Sequence, residues 1–137
     1  MLGWIENIEK LTLENEDFRR VLFTGKNSQV VLMCVEVGDE VGWEVHPDND
    51  QFFRLEQGQL RLDLGVGEEA VDESHNATDA WAMVVPAGTW HNLVNTGSEA
   101  VKLYTIYSPP HHPVGTIHKT KADADAAEEA EAAEAAK

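Results

Sequence analysis

From Val30 to Tyr107 the chain repeats one device, a short apolar or alternating run closed by a tight turn, and this limits the fold more than any other feature. Gln59–Leu64 shows it most cleanly. Leu60, Leu62 and Leu64 fall on one face and Gln59, Arg61 and Asp63 on the other, the period of a strand with one buried side. Val30–Val37 is a continuous Val-rich run suited to a strand buried on both faces, and Ala82–Val85, His91–Val94 and Val101–Tyr107 follow. Gly38-Asp39, Gln57-Gly58, Ala87-Gly88 and Thr96-Gly97 supply turns between them. Trp4–Leu13 is the one stretch before the tail with helical character, and Gly65–Asp79 reads as a long polar hairpin loop with a short strand near Ala70-Val71 and a solvated His75. The pattern predicts an all-β fold, a small antiparallel barrel of jelly-roll type, rather than a βαβ design.

Residues 1–119 are expected to form this domain, and 120–137 an appended tail. From Lys121 onward the tail is almost wholly Ala, Glu, Asp and Lys. Such residues favour helix, but without an apolar face a short helix is marginal in water, so a frayed helix without a function of its own is expected.

The net charge of −15, from 25 acidic and 10 basic residues, argues against nucleic acid as a partner, because phosphate binding needs clustered Lys and Arg. The tail holds six acids and two lysines, so the other 120 residues still carry −11. The N-terminus lacks a basic start and apolar run, and no stretch is long enough to span a bilayer. The single cysteine, Cys34, lies in an apolar run and has no internal disulfide partner. A soluble cytoplasmic protein without membrane partners is expected.

Chemistry concentrates in two segments, GWEVHPDNDQFFRLEQG (42–58) and VVPAGTWHNLVN (84–95). Glu44 and His46 stand two apart, hence on one face of a strand. Pro47 to Asp50 is turn chemistry, and Gln51 opens the next strand. Gly88 permits a backbone reversal, and His91 follows it. Together Glu44, His46, Gln51 and His91 form a candidate ligand set for one divalent transition metal ion (Fe, Mn, Ni, Zn or Co), since Ca and Mg prefer all-oxygen shells. Trp43 and Trp90, each adjacent to a candidate ligand, are expected to face away from it.

These segments resemble the paired motifs of the cupin superfamily of small jelly-roll barrels. The second histidine of the first motif falls on His46, its acid on Gln51 and its closing glycine on Gly58; the second motif falls on Pro86, Gly88, His91 and Asn95, with Ala80 replacing its opening glycine. Glu44 stands where the family has a histidine and Gln51 where it has a glutamate, so the single carboxylate has moved while the charge facing the metal is kept. The alternative is a pocket that has lost its metal. With HPDNDQFF, PAGTWHN and YSPPHHPVGTIHKTK (107–121), the chain is similar to single-domain microbial cupins often labelled mannose-6-phosphate-isomerase-like. His111, His112, His118 and Arg54 are further candidates for a pocket wall, although the prolines at 109, 110 and 113 also suit a segment lying extended across the barrel. The resemblance implies a metal-dependent enzyme acting on a small sugar-like or oxygenated ligand, by isomerase, epimerase, dioxygenase or lyase chemistry. A non-catalytic binding protein and a metal-free assembly module are the rival readings. It also implies a homodimer, with Phe18–Phe23 as the segment to cover a partner's sheet.

Overall fold

The computed structural model describes residues 2–135, so the last two residues of the tail lie outside it. Nine strands and two helices follow in the order α1 (Ile8–Glu14), β1 (Arg19–Thr24), β2 (Gln29–Val35), β3 (Asp50–Gln57), β4 (Gln59–Gly65), β5 (Glu73–Thr78), β6 (Ala82–Val85), β7 (Trp90–Asn95), β8 (Val101–Ser108), β9 (Ile117–His118) and α2 (Lys121–Ala135). All strand pairings are antiparallel. They build a six-stranded sheet, β6-β3-β8-β2-β1-β9, and a three-stranded sheet, β5-β4-β7.

A single closed barrel does not describe this arrangement. Among the described residues no ladder joins the two sheets; isolated bridges, Glu40↔Val94 and Glu44↔His91, tie the connection between β2 and β3 to β7. The molecule is a jelly-roll-like pair of sheets, predominantly β, with a helix at each end of the chain. The core lies between the sheets, where Val31, Met33, Val35, Phe53, Leu55, Val101 and Leu103 meet Leu60, Leu62, Ala77 and Leu93. On the far side of the large sheet Leu32 and Cys34 are also buried, beneath α1, which contacts β2, β3 and β8. That second cover explains why β2 reads as a continuous apolar run and not an alternating one. Asn7 caps α1, its side chain accepting from the Lys10 amide at 3.1 Å.

The Gly65–Asp79 stretch differs from its expected form. Glu73–Thr78 is a full edge strand paired along β4, and the short bridge falls at Gly67↔Ala70. Only Ala77 of β5 is buried, so its sequence carries almost no apolar alternation and the pairing comes from β4. His75 is exposed.

Phe18 and Val21 belong to the chain's own core, at 5% and 8% exposure, and β1 lies between β2 and β9 of the same chain. The tail helix also has a packing face absent from its composition, for Ala124 is 1% exposed.

Ala80, at the position of the family's motif glycine, takes φ +72°. A Cβ there costs about 1–2 kcal/mol, and Ala80 is exposed, so its methyl group contributes little packing. Ala80→Gly is therefore expected to stabilise the protein by about 1 kcal/mol in urea unfolding; a neutral or destabilising result would show that the turn is not strained.

Candidate metal centre

The segment ahead of β3 pairs with β7 at Glu40↔Val94 and again at Glu44↔His91. The Glu44 amide donates to the His91 carbonyl at 2.9 Å, and the His91 amide donates to the Glu44 carbonyl at 2.8 Å. This reciprocal pair sets the two side chains opposite each other. His46, two residues on, shares the face of Glu44, and its carbonyl accepts from the Gly88 amide at 3.0 Å. Gly88, at φ +81°, makes the reversal that delivers His91.

One ligand atom from each of Glu44, His46 and His91 lies within 4.8 Å of the others. Glu44 Oε1 is 3.3 Å from His46 Nε2 and 3.7 Å from His91 Nε2. Both histidines are buried, at 6% and 2% exposure. His91 Nδ1 sits 3.0 Å from the Thr89 carbonyl, an acceptor only, so Nδ1 carries the proton and the Nε2 lone pair faces the cluster. Both Nε2 atoms are buried without a hydrogen-bond partner, and the Glu44 carboxylate is their charged neighbour. Gln51 is similar. Its Nε2 donates to Thr105 Oγ1 at 3.0 Å, while its Oε1 is buried and unpartnered.

Charge is arranged to suit a cation. Burial pushes the Glu44 carboxyl up, but the combined pull of His46, His91 and Arg19 outweighs it and leaves the pKa below the usual carboxylate value. Burial lowers the His91 pKa, against smaller opposing effects of the Thr89 carbonyl and Glu44, which keeps the ring neutral as ligation requires. A carboxylate and two imidazoles whose Nε2 atoms are buried without a hydrogen-bond partner are the donor chemistry of a divalent transition metal.

A cavity of about 170 Å³ opens over this cluster. Glu44 and His46 line it together with Arg19, the histidines His111, His112 and His118, and Glu128 and Glu131 of α2. The sequence had suggested all three of those histidines, and the structure brings them together. His111 packs edge-on against His46 with ring centroids 4.4 Å apart, and His112 Nε2 is 3.3 Å from the Tyr107 hydroxyl. Burial, and then the nearby positive charge, pushes the His112 pKa down to about 2. Arg54 is different. It alternates away from Gln51 along β3, pairs with Glu56 at 2.9 Å and does not line the cavity. Trp43 and Trp90 stack on each other, centroids 6.0 Å apart, and Trp43 donates to the Glu68 carbonyl, so neither lines the cavity.

Three charged cavity residues, Arg19, Glu128 and Glu131, escaped the sequence reading. Arg19, 2% exposed, lines the cavity; its signal was the two-residue period that puts it on the face of Val21. Glu128 and Glu131 carry no comparable signal, because nothing in the tail's composition marks which residues face the domain.

A cupin domain model matches residues 31–107. Uncharacterized protein YrkC of Bacillus subtilis (strain 168) is 49% identical over 126 residues, 92% of this chain and 68% of that protein. Uncharacterized protein L612 of Acanthamoeba polyphaga mimivirus is 40% identical over 115 residues, 83% of this chain and 70% of that protein. The crystal structure of BH2720 from Bacillus halodurans superposes with a TM-score of 0.89 at 46% identity, covering 90% of this chain and 94% of the other. With both cupin segments folded around one buried His-His-Glu cluster, the chain belongs to the cupin superfamily and carries a single cupin domain.

Proposed function

We propose that this cupin is a mononuclear metal-dependent enzyme acting on a small, oxygenated molecule. The observation that carries the reading is the pair of buried, unpartnered Nε2 atoms converging on the Glu44 carboxylate. Leaving such acceptors unsatisfied costs about 1–3 kcal/mol each, a cost that coordination removes.

Glu44, His46 and His91 would hold the ion, with the Gln51 amide oxygen as a weaker fourth donor. A bound divalent ion supplies Lewis acidity to a coordinated oxygen. The chain's own residues do the rest. Thr105 fixes the Gln51 amide so that its oxygen is the free end. The Thr89 carbonyl holds the His91 tautomer. His111, pushed down to about 4 chiefly by burial, is a neutral imidazole beside the cluster, able to accept a hydrogen bond from a bound ligand. Around the cavity α2 and the 111–118 segment limit access by water.

Gln51→Glu tests the ligand set. Replacing a neutral oxygen by a carboxylate at a preformed corner should tighten metal binding by about tenfold, roughly 1.4 kcal/mol, and Gln51→Leu should weaken it. Titration of metal-free protein with Zn(II) and Mn(II) against a chromophoric chelator reads both. Unchanged affinity in the two variants would remove Gln51 from the shell. Turnover of small hydroxy- and oxo-compounds that appears with metal and vanishes on chelation separates an enzyme from a binding protein.

A further inference from the structure

We propose that Arg19 makes the cavity a site for small carboxylates, its guanidinium taking the carboxylate while a second ligand oxygen, hydroxyl or carbonyl, meets the metal centre. The proposal deepens the reading above and rests on it for the second contact.

The chain has four arginines. Three are partly or well exposed and each has a carboxylate partner: Arg20 with Asp17, Arg54 with Glu56 and Arg61 with Asp63. Arg19 is the buried one, and among the described residues it pairs with no carboxylate. Its Nη1 donates to His118 Nδ1 at 3.2 Å, and its Nε is buried without a partner. A buried cation is costly unless it is paired. Carboxylates are near, since Glu44, Glu128 and Glu131 line the same cavity, yet none closes on the guanidinium. The unfilled demand for an anion therefore faces the cavity.

The fork is also held for use. Arg19 stands directly opposite His118 in the β1–β9 register, and its guanidinium carbon lies 5.4 Å from the Phe18 ring centroid. A guanidinium fixed in this way loses little freedom on binding, and its parallel donors match a carboxylate's two oxygens. Size narrows the class. At ~30 Å³ per water-sized group, about 170 Å³ holds roughly six non-hydrogen atoms, which suits a lactate- or pyruvate-sized acid. Glu128 adds a polar wall suited to a ligand hydroxyl, and burial first, then Glu44, raises its pKa, which weakens its repulsion of an anion.

The probes are lactate, pyruvate and the neutral isostere lactamide, titrated into Zn(II)-loaded full-length protein and followed by amide NMR shifts. Lactate should bind at least about tenfold tighter than lactamide, and Arg19→Gln should weaken lactate by about 10- to 100-fold while leaving lactamide unchanged. Arg19→Lys, which keeps the charge and loses the fork, should fall between and serves if the glutamine variant folds poorly. Equal lactate affinity in wild type and folded variants, absence of lactate binding to the wild type, or equal affinity for lactate and lactamide would overturn the proposal. Zinc stoichiometry, measured before any ligand is added, tests the metal reading separately. If no zinc is held, the same lactate-to-lactamide ratio on the metal-free proteins decides Arg19 alone.

Discussion

His91→Ala is expected to abolish stoichiometric metal binding while leaving the protein folded. Wild-type protein purified without chelator or nickel resin should carry about one equivalent of a transition metal, and the variant almost none. The expected loss exceeds ~100-fold in affinity, because removing even an outer-shell partner of a metal ligand costs about 10–100-fold. The backbone reason for a specific effect is that Glu44 and His91 are joined through their main chains, which the substitution keeps. Only the Nε2 donor, 3.7 Å from Glu44 Oε1, is removed. Acidification should mimic the variant. The imidazoles ligate only when neutral; burial lowers the His91 pKa, so occupancy should survive to a pH below the ordinary histidine value of ~6.5 and then fall as protons compete. Metal analysis with circular dichroism checks both arms. A folded His91→Ala protein that keeps its metal would sink the proposed centre.

Leu103→Ala carries the largest expected stability effect, a loss of about 3–4 kcal/mol in urea unfolding of the metal-free protein. Leu103 is 0% exposed and sits on β8, between β2 and β3 in the large sheet. It pairs in register with Met33 on one side and Leu55 on the other, both buried, so little can collapse into the space left behind. For a domain whose total stability is of order 5–15 kcal/mol, this is a large fraction. Two residues along the same strand face, Thr105 anchors Gln51, so the core that Leu103 fills also backs the metal-site floor. Val84, 60% exposed on edge strand β6, is the control, and alanine there should cost less than about 0.5 kcal/mol. A Leu103→Ala cost below about 1 kcal/mol would contradict this packing.

Local pattern was enough for much of this molecule. The alternation in Gln59–Leu64 holds at Gln59, Leu60 and Leu62 and breaks at Asp63, which is buried beside Arg61 and Ser74, and the run in 30–37 became a strand covered on both sides as far as Val35, with Val37 exposed beyond its end. The i, i+2 spacing put Glu44 and His46 on one face, and the Pro-Ala-Gly bend placed His91. Both are short-range consequences of backbone geometry, so a single chain displays them. Where the signal was weak, the physics was non-local. β5 is polar and forms because β4 offers it a ladder. The tail helix has one buried alanine, too little to register as an apolar face.

The amino-acid order therefore determined most of the strands, the turns and three clustered donors, because period and turn chemistry act over a few residues. Arg19 and its cavity belong to another scale. Arg19 meets His118 across 99 residues of chain, Gln51 meets Thr105 across 54, and α2 returns from the far terminus to wall the same space. Whether a buried cation has a carboxylate partner depends on which distant side chains the sheets bring within about 4 Å, and no local pattern encodes that distance.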